Sequence, residues 1–123
     1  MLSCAAVLPV QDVGTSVSYF VETLGFRAVA TFPPGEAIYG IVQRGDVAVH
    51  LQGGWTSRAD VRAEHETDLY VYVDDADELF AEYDAAGVTL YRGLYDNDYG
   101  MRDFCIETPD GHRVAFGSPL AGG

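Results

Sequence analysis

The sequence predicts an α+β protein built from two tandem βαβββ modules, residues 1–53 and 67–118, joined by a linker over 54–66. Three observations carry this. Two stretches with helical apolar spacing repeat at a constant offset of 63 residues, Val10, Asp12, Val13, Val17 and Phe20 mapping onto Val73, Asp75, Ala76, Phe80 and Tyr83. Each is preceded by one apolar strand and followed by three strand candidates. A tight turn closes the last hairpin of each half, "RGD" at Arg44–Asp46 and "PDG" at Pro109–Gly111.

In chain order, Cys4–Val10 reads as the first strand. "VQDVGTSVSYFVETLGF" follows, with Val13, Val17, Phe20, Val21 and Leu24 forming one buried stripe. Asp12 is its N-cap, because a short acid accepts from the free N–H groups of a first turn. Gly25 is its stop, because glycine enters the left-handed region without a Cβ clash. Strands Arg27–Phe32, Ala37–Gln43 and Asp46–Gln52 complete the first module. The second repeats the order: strand Asp68–Val73, a helix capped by Asp75 with Ala76, Leu79, Phe80, Tyr83 and Ala86 on its stripe, Gly87 as stop, and strands Val88–Tyr91, Met101–Glu107 and Arg113–Phe116.

Composition bounds the function. With 123 residues and 48% apolar content the chain is one domain or two small modules packed as one. No run approaches the roughly 18 apolar residues of a membrane span, and "MLSCAAVLPV" lacks the basic start of a signal peptide, so a cytoplasmic location is expected. Nineteen acids oppose seven bases, all arginine, for a net charge of −12. That balance repels nucleic acid and favours a cationic ligand, but solubility is the commoner reason for such acidity, so charge alone decides little. Cys4 and Cys105 lie in apolar strand patterns and read as small buried hydrophobes without a disulfide. No phosphate-binding glycine loop, nucleophile elbow or zinc-type cysteine pair is present.

The duplicated βαβββ unit, with "VLPVQDVGTSVSYFVETLGF" at one end and "YGMRDFCIETPDGHRVAFG" at the other, resembles the glyoxalase, bleomycin-resistance and extradiol-dioxygenase superfamily. The resemblance implies sheets curved around a cleft lined by strand residues. Metalloenzymes of that superfamily hold their ion at four strand positions, which fall here on Ala5, His50, Asp68 and Ala115. Alanine has no lone pair, and His50 with Asp68 is a weak candidate pair, since catalytic metals usually keep three protein ligands. In size, acidity and aromatic set the chain most resembles the bleomycin-resistance proteins of that superfamily, which sequester a drug without changing it and are usually homodimers; no cofactor is expected.

Strand alternation sorts the lining of the expected cleft. Asp68, Tyr70 and Tyr72 turn inward while Leu69, Val71 and Val73 face the helices; Ala48, His50 and Gln52 turn inward opposite Val47, Val49 and Leu51. Ser3, Ala5 and Val7 make another wall, and Arg113 with Ala115 a further one, where Ala115 and Gly117 leave a gap for a ligand. Phenol faces stack on flat heterocycles and attract cations, although the two tyrosines would equally fill a closed core. Trp55 on the linker and Tyr99 before Gly-Met-Arg add aromatic surface; bleomycin-resistance proteins often carry tryptophan where Tyr99 stands. Asp96, Asp98 and Asp103 surround Tyr99, either to meet an amine tail or as a solvated loop, and Arg102 and Arg113 are expected in exposed ion pairs. The expected ligand-binding set is thus His50, Trp55, Asp68, Tyr70, Tyr72, Tyr99, Asp103 and Arg113, with a small cationic aromatic antibiotic as guest. The alternative is a metal-dependent lyase or dioxygenase with an atypical ligand set.

Overall fold

The computed structural model describes residues 1–54 and 67–120, so Trp55 and most of the expected linker lie outside the described residues. The chain divides into two compact units, Met1–Val61 and Arg62–Gly123. The first contains β1 (Ala6–Pro9), α1 (Val13–Glu22), β2 (Arg27–Phe32), β3 (Tyr39–Arg44) and β4 (Val47–Gln52). The second contains β5 (Leu69–Tyr72), α2 (Ala76–Ala85), β6 (Leu90–Asp96), β7 (Met101–Glu107) and β8 (Arg113–Pro119). Each builds a four-stranded sheet of the same topology, β1-β4-β3-β2 and β5-β8-β7-β6, the outer pair parallel and the rest antiparallel. This is the α+β class the repeat predicts.

The helices form where their caps lie. Asp12 accepts from the Thr15 N–H at 2.8 Å and Asp75 from the Glu78 N–H at 3.1 Å. Gly25 and Gly87 take positive φ of 78° and 75°, which ends each helix where a side chain would be strained. Val13, Phe20 and Leu24 of the first stripe are buried, as are Val42, Val49 and Leu51 of the sheet. In the second unit Phe104 stacks on Phe116 at 5.4 Å, and Tyr83 meets Phe116 edge-on at 5.5 Å. The stripe there is narrower than expected: Leu79 and Phe80 are half-buried and Ala86 is exposed.

Several boundaries move. β1 starts at Ala6, leaving Cys4 exposed and correcting the expectation of a buried thiol; Cys105 is buried. Ser3 and Ala5 precede that strand and are exposed rather than lining a wall. β6 runs to Asp96, beyond the expected Tyr91, because "GLYD" continues to pair with β7 past two register shifts. β8 runs to Pro119, past the expected Phe116, and its Ser118 hydroxyl accepts the buried Ala76 N–H at 2.9 Å, tying the start of α2 to the sheet. Among the described residues no helix is long and apolar enough to cross a membrane.

Candidate functional site

In the second unit the sheet face turned away from α2 is assembled by register. Tyr70 lies beside Ala115 and Tyr72 beside Gly117 across β5 and β8, while Asp103 lies opposite Gly117 and Cys105 opposite Ala115 across β7 and β8. Side chains directly paired across strands share a face. Tyr70, Tyr72, Asp103, Cys105, Ala115 and Gly117 are thereby neighbours, as the alternation of "DLYVYV" implied for the two tyrosines.

The centre of this face is Asp103, whose side chain is only 1% exposed. Its Oδ2 accepts the Tyr70 hydroxyl at 2.8 Å and the Tyr99 hydroxyl at 2.8 Å. Its Oδ1 accepts from Arg92, which also donates to the Asp103 carbonyl at 3.1 Å and the Gly93 carbonyl at 3.0 Å. Burial pushes the Asp103 carboxyl up, but donors on Asn97, Arg92, Tyr70 and Tyr99 outweigh it and hold the group below its ordinary range. Both phenols move the other way. Burial, then the hydrogen bond to Asp103, raises Tyr70 and Tyr99 above the usual phenol value.

This geometry revises two expectations. Asp103 is neither a solvated loop acid nor one open to an amine, because it is buried on β7 with both its oxygens engaged. Nor is the bare backbone at Gly117 a vacancy for a ligand: a Cβ there would stand 2.1 Å from the Tyr70 hydroxyl oxygen and 2.8 Å from its Cζ. Tyr70 leans along its strand and crosses β8 at the one place without a side chain, and so reaches Asp103 on the next strand.

Among the described residues of this unit three rings are open to solvent: Tyr72, 77% exposed and tilted against Tyr70 at 5.3 Å, Tyr99, 66% exposed in the β6–β7 turn, and Tyr95, 58% exposed. The Arg92 guanidinium stands 5.7 Å from the Tyr95 ring and the Arg113 guanidinium 3.8 Å from that of Tyr91. Arg113 has the ion-pair partner expected, Glu107 at 3.6 Å, but contrary to expectation the pair is not an exposed one: the Arg113 side chain is 14% exposed and stacked on Tyr91. Arg102 behaves as expected, pairing with Asp96 at 2.6 Å and Asp77 at 3.0 Å. Arg92 was not foreseen. An arginine in "YRGLYD" offers no pattern that ties it to an aspartate eleven residues away, because the two register shifts of β6 aim it.

The positions that the resemblance assigns to metal ligands do not form a donor set. Ala5 and Ala115 have no donor atom. Asp68 accepts the Arg113 backbone N–H at 2.9 Å and lies 3.7 Å from the buried His112 ring, which joins β5 to the start of β8. His50, in the first unit, shares a 2.7 Å hydrogen bond with the Tyr39 hydroxyl through Nδ1. Among the described residues no three His, Cys, Asp or Glu side chains gather as ligands. The residues present do not fit a chelated catalytic ion, which takes three protein donors and an open position.

Paired βαβββ units with this strand order and this terminal hairpin define a family. The chain belongs to the Glyoxalase/Bleomycin resistance protein/Dioxygenase superfamily, whose model matches residues 4–116. It is 26% identical over 130 aligned positions to the bleomycin resistance protein of Geobacillus stearothermophilus, covering 94% of this chain and 96% of that one. Among solved structures it matches the bleomycin-binding protein of the bleomycin producer Streptomyces verticillus, complexed with copper(II)-bleomycin, at TM-score 0.72 and 26% identity over 100% of this chain and 98% of that one. TioX from Micromonospora sp. ML1 shares the fold at TM-score 0.78 and 24% identity, over 98% and 100% of the two chains.

Proposed function

We propose that this protein binds a small cationic antibiotic of the bleomycin type without chemically altering it. The observation that carries the reading is the pair of exposed phenol rings, Tyr72 and Tyr99, on a sheet face where the other charged groups are already partnered. Exposed π faces attract cations by about 0.5–1 kcal/mol each, and by about 2 when water is excluded. The net charge of −12 concentrates cations around the chain and speeds their arrival. A resistance protein and a drug-binding protein among its relatives support the same guest.

The acid–base inventory of this face supports binding over catalysis. A general base works best near the operating pH, whereas Asp103 is held low by four donor side chains and Tyr70 and Tyr99 are held high. Metal-free bleomycin at 100 times its Kd stabilises a binder by about 2.7 kcal/mol, on the order of 10 °C in melting temperature for a chain of this size. A thermal-shift and calorimetric titration tests this. Absence of both heat and shift with bleomycin, phleomycin and other cationic aromatic drugs refutes the drug-binding reading.

A further inference from the structure

An ionised carboxylate is an acceptor only, and a phenol has a single hydrogen to give. Asp103 takes that hydrogen from both Tyr70 and Tyr99, at 2.8 Å each and on the same oxygen, while Arg92 occupies the other oxygen. Each phenol oxygen then keeps only lone pairs, and the two hydroxyls also lie within reach of one another. Donation to a carboxylate also increases the electron density on the donating oxygen, which strengthens it as an acceptor. Tyr70 cannot rotate its hydroxyl hydrogen elsewhere without leaving Asp103 a donor short in a buried position. Of the two phenols bound to Asp103, Tyr99, at 66% exposure, is the one open to a guest.

We propose that Asp103 is a positioning residue that sets the hydrogen-bond polarity of this aromatic wall: by holding both phenol hydrogens inward it makes the wall accept N–H donors at the edge of a flat ring and discriminate against guests presenting acceptors there. The inference rests on the wall being the binding surface named above, and it deepens that reading by naming the guest's chemistry: an aromatic heterocycle, amide or amidine with outward N–H groups. It also explains why Asp103, the one buried carboxylate among the described residues, sits here out of reach. The carboxylate acts through the phenols rather than on the ligand.

Two isosteric probes isolate the effect. Tryptamine and 2-(benzofuran-3-yl)ethylamine carry the same ammonium group on rings of nearly the same shape, so the field of the chain acts on both alike; they differ in one ring N–H replaced by oxygen. Affinities are measured at neutral pH by NMR shift titration of the intact protein. Wild type is expected to prefer tryptamine by about threefold to tenfold, the range of one net hydrogen bond. Tyr99→Phe keeps the ring and leaves Asp103 with Tyr70 and Arg92, and the ratio is expected to fall towards one while both probes still bind. Asp103→Asn releases phenol hydrogens and is expected to abolish or invert the preference. A merely structural role would weaken both probes together and leave the ratio unchanged.

A wild-type ratio near one, a ratio unchanged by Tyr99→Phe, or failure of both probes to bind overturns the proposal. Should Asp103→Asn not fold, the Tyr99→Phe ratio decides alone. The drug reading fails separately: bleomycin that does not bind while tryptamine is preferred removes the drug and keeps the polarity, and bleomycin bound with a ratio near one does the reverse.

Discussion

Gly117→Ala is the sharpest test of the architecture, because two effects of opposite sign compete at one methyl group. In a strand interior glycine usually costs about 0.5–1 kcal/mol relative to alanine, through the extra freedom of the unfolded chain. Gly117 has no positive φ to protect, so on backbone grounds the substitution should stabilise. The new Cβ, however, would lie 2.1 Å from the Tyr70 hydroxyl oxygen, 2.8 Å from its Cζ and 3.1 Å from the Asp103 Cβ. The phenol must move, and its hydrogen bond to Asp103 breaks. Hydrogen bonds to charged groups are worth about 1.5–3 kcal/mol; because Tyr70 is half-buried, water recovers part of this. Against the backbone gain, a net loss of about 1–2 kcal/mol is expected, read by urea denaturation. The same substitution in a Tyr70→Ala background should be neutral or stabilising, since nothing then crosses β8. A Gly117→Ala protein as stable as wild type in the Tyr70 background would refute the reasoning.

Two further outcomes follow from the same geometry. Because Asp103 is held below its ordinary value of 3.8 in the folded chain, its contribution is fully present above that pH and is lost as pH falls through the lower folded value; an acid denaturation series should show Asp103→Asn losing this limb relative to wild type. Native protein treated with a thiol reagent should modify Cys4 promptly, with Cys105 reacting only after denaturant is added, because the first is exposed and the second buried. Prompt modification of both would contradict the placement of β7 and β8.

The helices were legible because their signals are local. The cap at Asp12 or Asp75, the apolar spacing and the glycine stop all act within a few residues, and the two helices begin and end 63 residues apart, as do the first residues of β1 and β5 and of β2 and β6. The correspondence drifts at the last hairpins, where β3 and β7 start 62 apart and β4 and β8 start 66 apart. Strand ends were read less well: nothing local in "GLYD" distinguishes an exposed strand from a turn, and pairing with β7 decides it.

By itself the sequence determined the duplicated βαβββ order, which face Tyr70 and Tyr72 take, and the alanines at two of the four positions implied for a metal, since periodicity and residue chemistry travel with the chain. Only the tertiary structure decided where each side chain's hydrogen bonds go. Asp103 is reached by a tyrosine 33 residues before it, by Arg92 through a bulged strand and by Tyr99 from a turn. Its change from open anion to buried hub depends on strand register and on the absence of a Cβ at Gly117. Register is a relation between distant segments, which no local pattern encodes.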